Sequence, residues 1–221
     1  QLLAGYTWQR SIDTDSGGSF GSPTQRSACL NCDKGLSNFN IDHRFTSSIS
    51  YELPFGRGRA FGRDLPRAVD FALGGWEVAT IASFQTGPPQ DVTATNLTAD
   101  TGIHTQRANC LGGDAYASGS LRSNGLQWLN PANFLADAAG YYGTCGRSAF
   151  TGPGLNNWDL SVLKHFRITE GTRVEFRTEA FNAFNHAQFD LPVNSVASPI
   201  FGKVTSAEQP RVLQLALKLS F

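Results

Sequence analysis

From Leu213 to Phe221 apolar side chains fall on every second residue, with Leu213, Leu215, Leu217, Leu219 and Phe221 on one side and Gln214, Lys218 and Ser220 on the other. Successive side chains of a strand point to opposite faces, so this is the signature of a β-strand with one greasy and one wet face. The same split runs from Ser37 to Leu53, where Phe39, Ile41, His43, Phe45, Ser47, Ile49, Tyr51 and Leu53 oppose Asn38, Asn40, Asp42, Arg44, Thr46, Ser48, Ser50 and Glu52. It returns in Leu73 to Thr86, where Trp76, Val78, Ala82 and Phe84 oppose Glu77, Ser83 and Gln85. Trp158, Leu160, Val162 and Phe166 oppose Asp159, Ser161 and His165; Val174, Phe176, Ala180 and Phe184 oppose Arg173, Glu175, Arg177 and Glu179. With Leu2 to Arg10 added on weaker alternation, the pattern predicts about six strands. Short helices are expected only near Pro66 to Phe71 and Pro131 to Ala139.

Alternation alone fits two architectures. A secreted β-sandwich packs its apolar faces on a core, whereas an outer-membrane barrel turns them to lipid and lines a wet interior with the other face. Two features favour the barrel. Trp76 with Phe84, Trp158 with Phe166, and Phe176 with Phe184 are each eight residues apart on the apolar face. At about 3.3 Å per residue and a tilt of about 45°, that separation climbs roughly 19 Å, near the height of an outer-membrane apolar band, so the pairs read as two aromatic girdles.

Loop length is the second feature, because such barrels have short periplasmic turns and long outer loops. If the last strand ends in the periplasm, residues 168–172 and 54–74 lie inside, and residues 11–36, 87–156 and 185–209 lie outside. Asp42, Arg44, Glu52, Glu77, Gln85, Arg173, Glu175, Arg177 and Glu179 then face the lumen. Lys164 and His43 sit awkwardly on the lipid face; Lys164 is near a strand end and is expected to snorkel to the interface.

No apolar run is long enough for a transmembrane helix, and no signal-peptide pattern is present. The 18 basic residues match the 18 acidic ones, which leaves no electrostatic case for nucleic acid. The local cluster Arg57, Arg59, Arg63 and Arg67 reads as a solvated turn. The chain holds no Met and opens at Gln1 inside a strand pattern, so a fragment or processed product is expected.

The stretches DKGLSNFNIDHRF (33–45), GGWEVATIASFQTGPP (74–89), GPGLNNWDLSVLKHF (152–166), FRTEAFNAFNHAQF (176–189) and FGKVTSAEQPRVLQLALKLSF (201–221) resemble the barrel of Oar-like TonB-dependent receptors. The resemblance implies that residues 1–221 are the C-terminal segment of a large barrel of about 22 strands. The plug domain, earlier strands and the segment that contacts TonB would lie upstream. It also implies a bacterial outer-membrane location, uptake or binding of a large peptide, protein or glycan, and contact with outer-membrane lipid. Leu215, Leu217, Leu219 and Phe221 match the family's C-terminal signal for the barrel-assembly machinery. The expected fold is an all-β, antiparallel up-and-down transmembrane β-barrel segment, an incomplete barrel or open curved sheet, with long extracellular loops. A secreted β-sandwich that binds carbohydrate or protein is the alternative.

Enzyme chemistry is not expected. Gly17, Ser19 and Gly21 spell G-x-S-x-G, but within a Gly/Ser/Pro loop rather than between a strand and a helix. The histidines His43, His104, His165 and His186 lack metal spacing, and neither cofactor nor metal is implied. Glu175 and Glu179 alternate with Arg173 and Arg177 as a lumen-lining charge ladder rather than an acid/base pair. Asn96, Leu97 and Thr98 form a sequon with little meaning in a bacterium. Cys29, Cys32, Cys110 and Cys145 lie in the expected outer loops, where disulfides pairing Cys29 with Cys32 and Cys110 with Cys145 are the expected use. Trp128, Tyr141 and Tyr142 in the longest loop suit adaptable recognition of peptide or sugar.

Overall fold

A computed structural model describes residues 1–16, 25, 28–94, 106–138, 140–169 and 171–221. The G-x-S-x-G stretch, the sequon and His104 lie outside the described residues. Six long strands carry the fold: β1 (Leu2–Trp8), β2 (His43–Glu52), β3 (Trp76–Gln85), β4 (Leu155–Arg167), β5 (Arg173–Phe181) and β6 (Val212–Ser220). Their order in the sheet is their order in the chain, and every neighbouring pair is antiparallel, which makes an up-and-down meander. The sheet does not close: β1 and β6 each keep one edge without a partner strand among the described residues.

Register decides the faces. Phe45 opposes Phe84, Ala82 opposes Trp158, Val162 opposes Thr178 and Phe176 opposes Leu217, so the apolar residues of all the strands line up on one side. Apart from the place where the β2–β3 connection meets Lys164 and Phe166, that side is uncovered among the described residues. Leu2, Tyr6, Trp8, Leu213, Leu215, Leu217 and Leu219 are exposed, Leu217 to 73%. A continuous greasy sheet face of this extent in water would be an aggregation surface; against hydrocarbon it is the solvated state. The β-sandwich alternative requires a second sheet over this face. Among the described residues the other sheets are two-residue pairs, and none supplies one.

The connections after β1, β3 and β5 leave from one end of the sheet, and those after β2 and β4 from the other. The length rule makes the second end periplasmic. It carries the short β4–β5 connection and a longer one containing helix α1 (Arg67–Leu73). Pro66 precedes the first turn of α1 with φ −56°, and Gly74 ends it, its N–H bonding the carbonyl of Asp70. The helix expected from Pro131 is only the 3-10 turn Pro131–Asn133; Phe134 and Leu135 then pair with Cys110 and Asn109 as short strands.

The packed core lies in the outer connections rather than on the sheet. Val92, Ala108, Leu129, Phe134, Cys145 and Phe150 from the β3–β4 connection enclose Phe201 from the β5–β6 connection. Phe134 meets Phe150 and Phe201 edge to face, with centroids 5.1 and 5.4 Å away. The β1–β2 connection joins this body through two ion pairs, Arg107 to Asp33 at 2.5 Å and Arg147 to Asp13 at 2.6 Å. The long loops therefore fold together as a cap over one end of the sheet.

The expected strand over 37–53 shortens to His43–Glu52. Residues 37–42 alternate in sequence for another reason. Ser37 and Asn40 are buried, with Ser37 Oγ on Ser11 Oγ and Asn40 Oδ1 accepting from the Ser11 N–H, while Phe39 is left exposed. Asp42 accordingly sits just before β2, not in it; its carboxylate accepts from Asn40 Nδ2.

Candidate functional site

On the lipid-side face, aromatic rings form a line across the outer end of the sheet. Phe45 neighbours Phe84 at 6.2 Å, Phe84 meets Trp158 edge-on at 5.7 Å, and Trp158 meets Phe184 edge-on at 5.9 Å. Phe184 reaches this row from beyond the end of β5. Tyr6 extends the row, opposing Phe45 in register, and its hydroxyl bonds His43 Nδ1 at 2.7 Å. His43 is thus the polar end of an interfacial aromatic pair. At the periplasmic end Trp76, Phe166 and Phe176 share the same face. Tyr6, Trp76 and Trp158, each an apolar ring with one polar edge, suit the two membrane–water boundaries, and the phenylalanines beside them extend the apolar side of each row.

Lys164 departs from the expectation. It does not snorkel; it is 2% exposed, covered by the end of α1. Its ammonium donates to the carbonyls of Ala72 at 3.1 Å and of Gly74, and it lies 5.0 Å from the Trp76 ring and 5.2 Å from the Phe166 ring. A cation at a helix C-terminus meets carbonyls with no intrahelical donor, so the charge is satisfied where lipid would otherwise touch it.

The opposite face is polar and connected across strands. Ser50 Oγ donates to Glu77 at 2.6 Å; His165 bridges Glu77 and Glu175 at 3.4 and 3.8 Å; Arg177 contacts Glu175 at 2.8 Å and Glu179 at 3.8 Å. Arg44 donates to Gln85 at 3.1 Å, and Glu52 pairs with Arg59 at 2.5 Å. Arg173 lies opposite Arg167 at the rim. Of the residues expected to face the lumen, all but Asp42 stand on this side. The groups are substantially hydrated, so each pair adds at most about 1 kcal/mol, and the ladder's consequence is a wet wall of mixed charge. Ser50 and His165 complete it; their role was invisible without register, although both fell on the polar side of the alternation.

In the cap, Tyr116, Leu121, Gln127, Trp128 and Thr151 line a cleft of about 570 Å³. The Trp128 indole N–H donates to the Thr151 carbonyl at 2.8 Å, and the Tyr116 hydroxyl accepts from the Thr151 N–H at 3.0 Å. The rings stand edge to face at 6.0 Å. Their polar edges are held by protein, which fixes the rings at the border of the cleft. Tyr141 is exposed elsewhere on the cap and Tyr142 is half-buried; neither lines the cleft. Tyr116 was missed in sequence because only its bridge to Leu129 brings it beside Trp128.

Two disulfides join Cys29 to Cys32 and Cys110 to Cys145. The second links the short strand at Cys110 to the buried Cys145, next to the Arg107 guanidinium, whose Nε donates to the Cys145 carbonyl at 2.9 Å. Asp13 is held below the usual carboxylate range: burial opposes this, but hydrogen bonds from Ser37, Arg147 and Ser16 outweigh it. Asp137 is pushed the other way by burial. Among the described residues no group of His, Cys, Asp and Glu is arranged to hold a metal ion.

A greasy outer face, a charged inner face and a cap built from the long connections together define an outer-membrane β-barrel protein. The model of the outer membrane beta barrel domain family matches residues 1–214, and the chain belongs to that family. Its place is the bacterial outer membrane. No curated protein and no solved structure matched the chain.

Proposed function

We propose that the chain is the receptor-bearing part of a TonB-dependent, Oar-like outer-membrane transporter that binds a large peptide, protein or glycan at its outer cap. The observation that carries this reading is the cap itself: the β3–β4 and β5–β6 connections share one core, the β1–β2 connection is tied to it by two ion pairs, and the cap presents the Tyr116–Trp128 cleft. A passive pore needs no such cover; a receptor needs a shaped and rigid outer surface. The edges of β1 and β6, which have no partner strand among the described residues, suit a sheet that continues into further strands of a larger barrel. In this reading the plug and TonB contact belong to those other parts, and the terminal strand with Leu215, Leu217, Leu219 and Phe221 is read by the barrel-assembly machinery.

The test is binding and uptake by cells carrying the complete protein, using peptide and glycan arrays to find a ligand. Uptake should stop when the proton-motive force is dissipated while surface binding persists, and Trp128→Ala should weaken binding by at least tenfold, about 1.4 kcal/mol. Uptake that continues without the proton-motive force would remove the transporter reading.

A further inference from the structure

The β2–β3 connection is unusually built for a periplasmic turn. Phe55 and Phe61 pack on each other at 5.7 Å and are both exposed, as are Val69, Phe71 and Leu73 of α1. Phe71 packs against Phe166 with tilted rings, centroids 4.7 Å apart, and Phe166 belongs to the lipid-side face of β4. Together with the Lys164 ammonium on the Ala72 and Gly74 carbonyls and the Trp76 indole N–H donating to Ala72 at 2.9 Å, this pins α1 to the outside wall of the sheet, not across its lumen. The same connection carries Arg57, Arg63 and Arg67, all exposed and none in an ion pair among the described residues, whereas Arg59 is taken by Glu52. Asp70 turns inward to accept the Arg57 N–H at 2.6 Å, leaving Asp64 as the other carboxylate of the connection.

We propose that this connection is a membrane anchor, in which Phe55, Phe61, Phe71 and Leu73 enter the acyl boundary of the periplasmic leaflet and Arg57, Arg63 and Arg67 bind the phosphates of anionic phospholipids. The surface continues the barrel's lipid-side face without a break, through Phe71 on Phe166, so the occupant of that face and of α1 is the same bilayer. Basic side chains beside exposed rings are the combination that holds a segment in the plane of a charged interface. Arginine adds the planar fork that matches a phosphate. Lys164 fixes the depth at which the helix rests. The basic cluster is therefore a lipid site rather than a solvated turn, whatever the barrel carries.

The complete protein, reconstituted in phosphatidylcholine vesicles with or without phosphatidylglycerol, provides the test through hydrogen exchange of α1. Phosphatidylglycerol should slow exchange of the α1 amides by about tenfold or more, and raised salt should reverse it. An Arg57→Gln, Arg63→Gln, Arg67→Gln variant should lose that difference while keeping its heat-modifiable barrel; these side chains are exposed, so folding does not depend on them. Equal exchange in the two vesicle types, or a full phosphatidylglycerol effect in the variant, would overturn the proposal. So would equal α1 protection in neutral detergent and in anionic vesicles, which would leave α1 as a cover for Lys164 alone.

Discussion

Removing the Cys110–Cys145 disulfide should loosen the cap without touching the sheet. The bond closes a loop with a sequence separation of 35, for which chain entropy gives about 4 kcal/mol. Loss of the buried Cys145 sulfur from the core adds about 1 kcal/mol. The Cys29–Cys32 bond spans a separation of 3, and the same relation gives it only about 1.5 kcal/mol. Hydrogen exchange in the membrane-inserted protein reads both values as local opening. In Cys110→Ala/Cys145→Ala the Ala108 N–H, bonded to the Val92 carbonyl at 2.9 Å, should exchange roughly four decades faster. In Cys29→Ala/Cys32→Ala the change should be roughly tenfold. Amides of β3, β4 and β5 should be unaffected in both. Equal effects of the two variants would refute the loop-closure reasoning, and a matching acceleration in the sheet would refute the cap as a separately opening unit.

Arg107→Met should open the junction between the β1–β2 connection and the cap by about 3 to 5 kcal/mol, because it leaves the fully buried Asp33 without its guanidinium; limited proteolysis within residues 11–36 measures it. Asp13 has a depressed folded pKa, so its contribution is present above the ordinary carboxylate range and is lost as pH falls through the depressed value. Acid titration of cap protection should show this step, and Asp13→Asn should remove it. Lys164→Met should leave membrane insertion intact but release α1, raising exchange of its amides by about 1 to 3 kcal/mol of lost carbonyl partners; unchanged exchange would show that the ring contacts alone hold the helix.

The strands were legible because a membrane sheet obeys one rule, apolar out and polar in, over its whole length. Where the chain left the membrane the rule failed. Residues 37–42 alternate like a strand, yet Ser37 and Asn40 are polar residues buried to satisfy Ser11, a demand set by a segment far away in sequence. Lys164 was legible as an anomaly on the lipid face, but its cover is a helix that folds back from the β2–β3 connection. The cap core was not legible. Its strands are two residues long, too short for periodicity, and Phe201 joins Val92 and Leu129 across a hundred residues or more of intervening chain for Val92 and about seventy for Leu129. Of the candidate site, Trp128 stood out by residue type alone, whereas Tyr116 needed the fold.

One face of this sheet meets lipid and the other meets water, and cysteine scanning along β5 tests this directly. The native cysteines are all in disulfides, so single cysteines placed at 174 to 180 report alone in the outer membrane. Positions 175, 177 and 179 should react with a membrane-impermeant maleimide once the outer membrane is permeabilised, while 174, 176, 178 and 180 stay unlabelled. Equal labelling of the two sets would contradict the barrel.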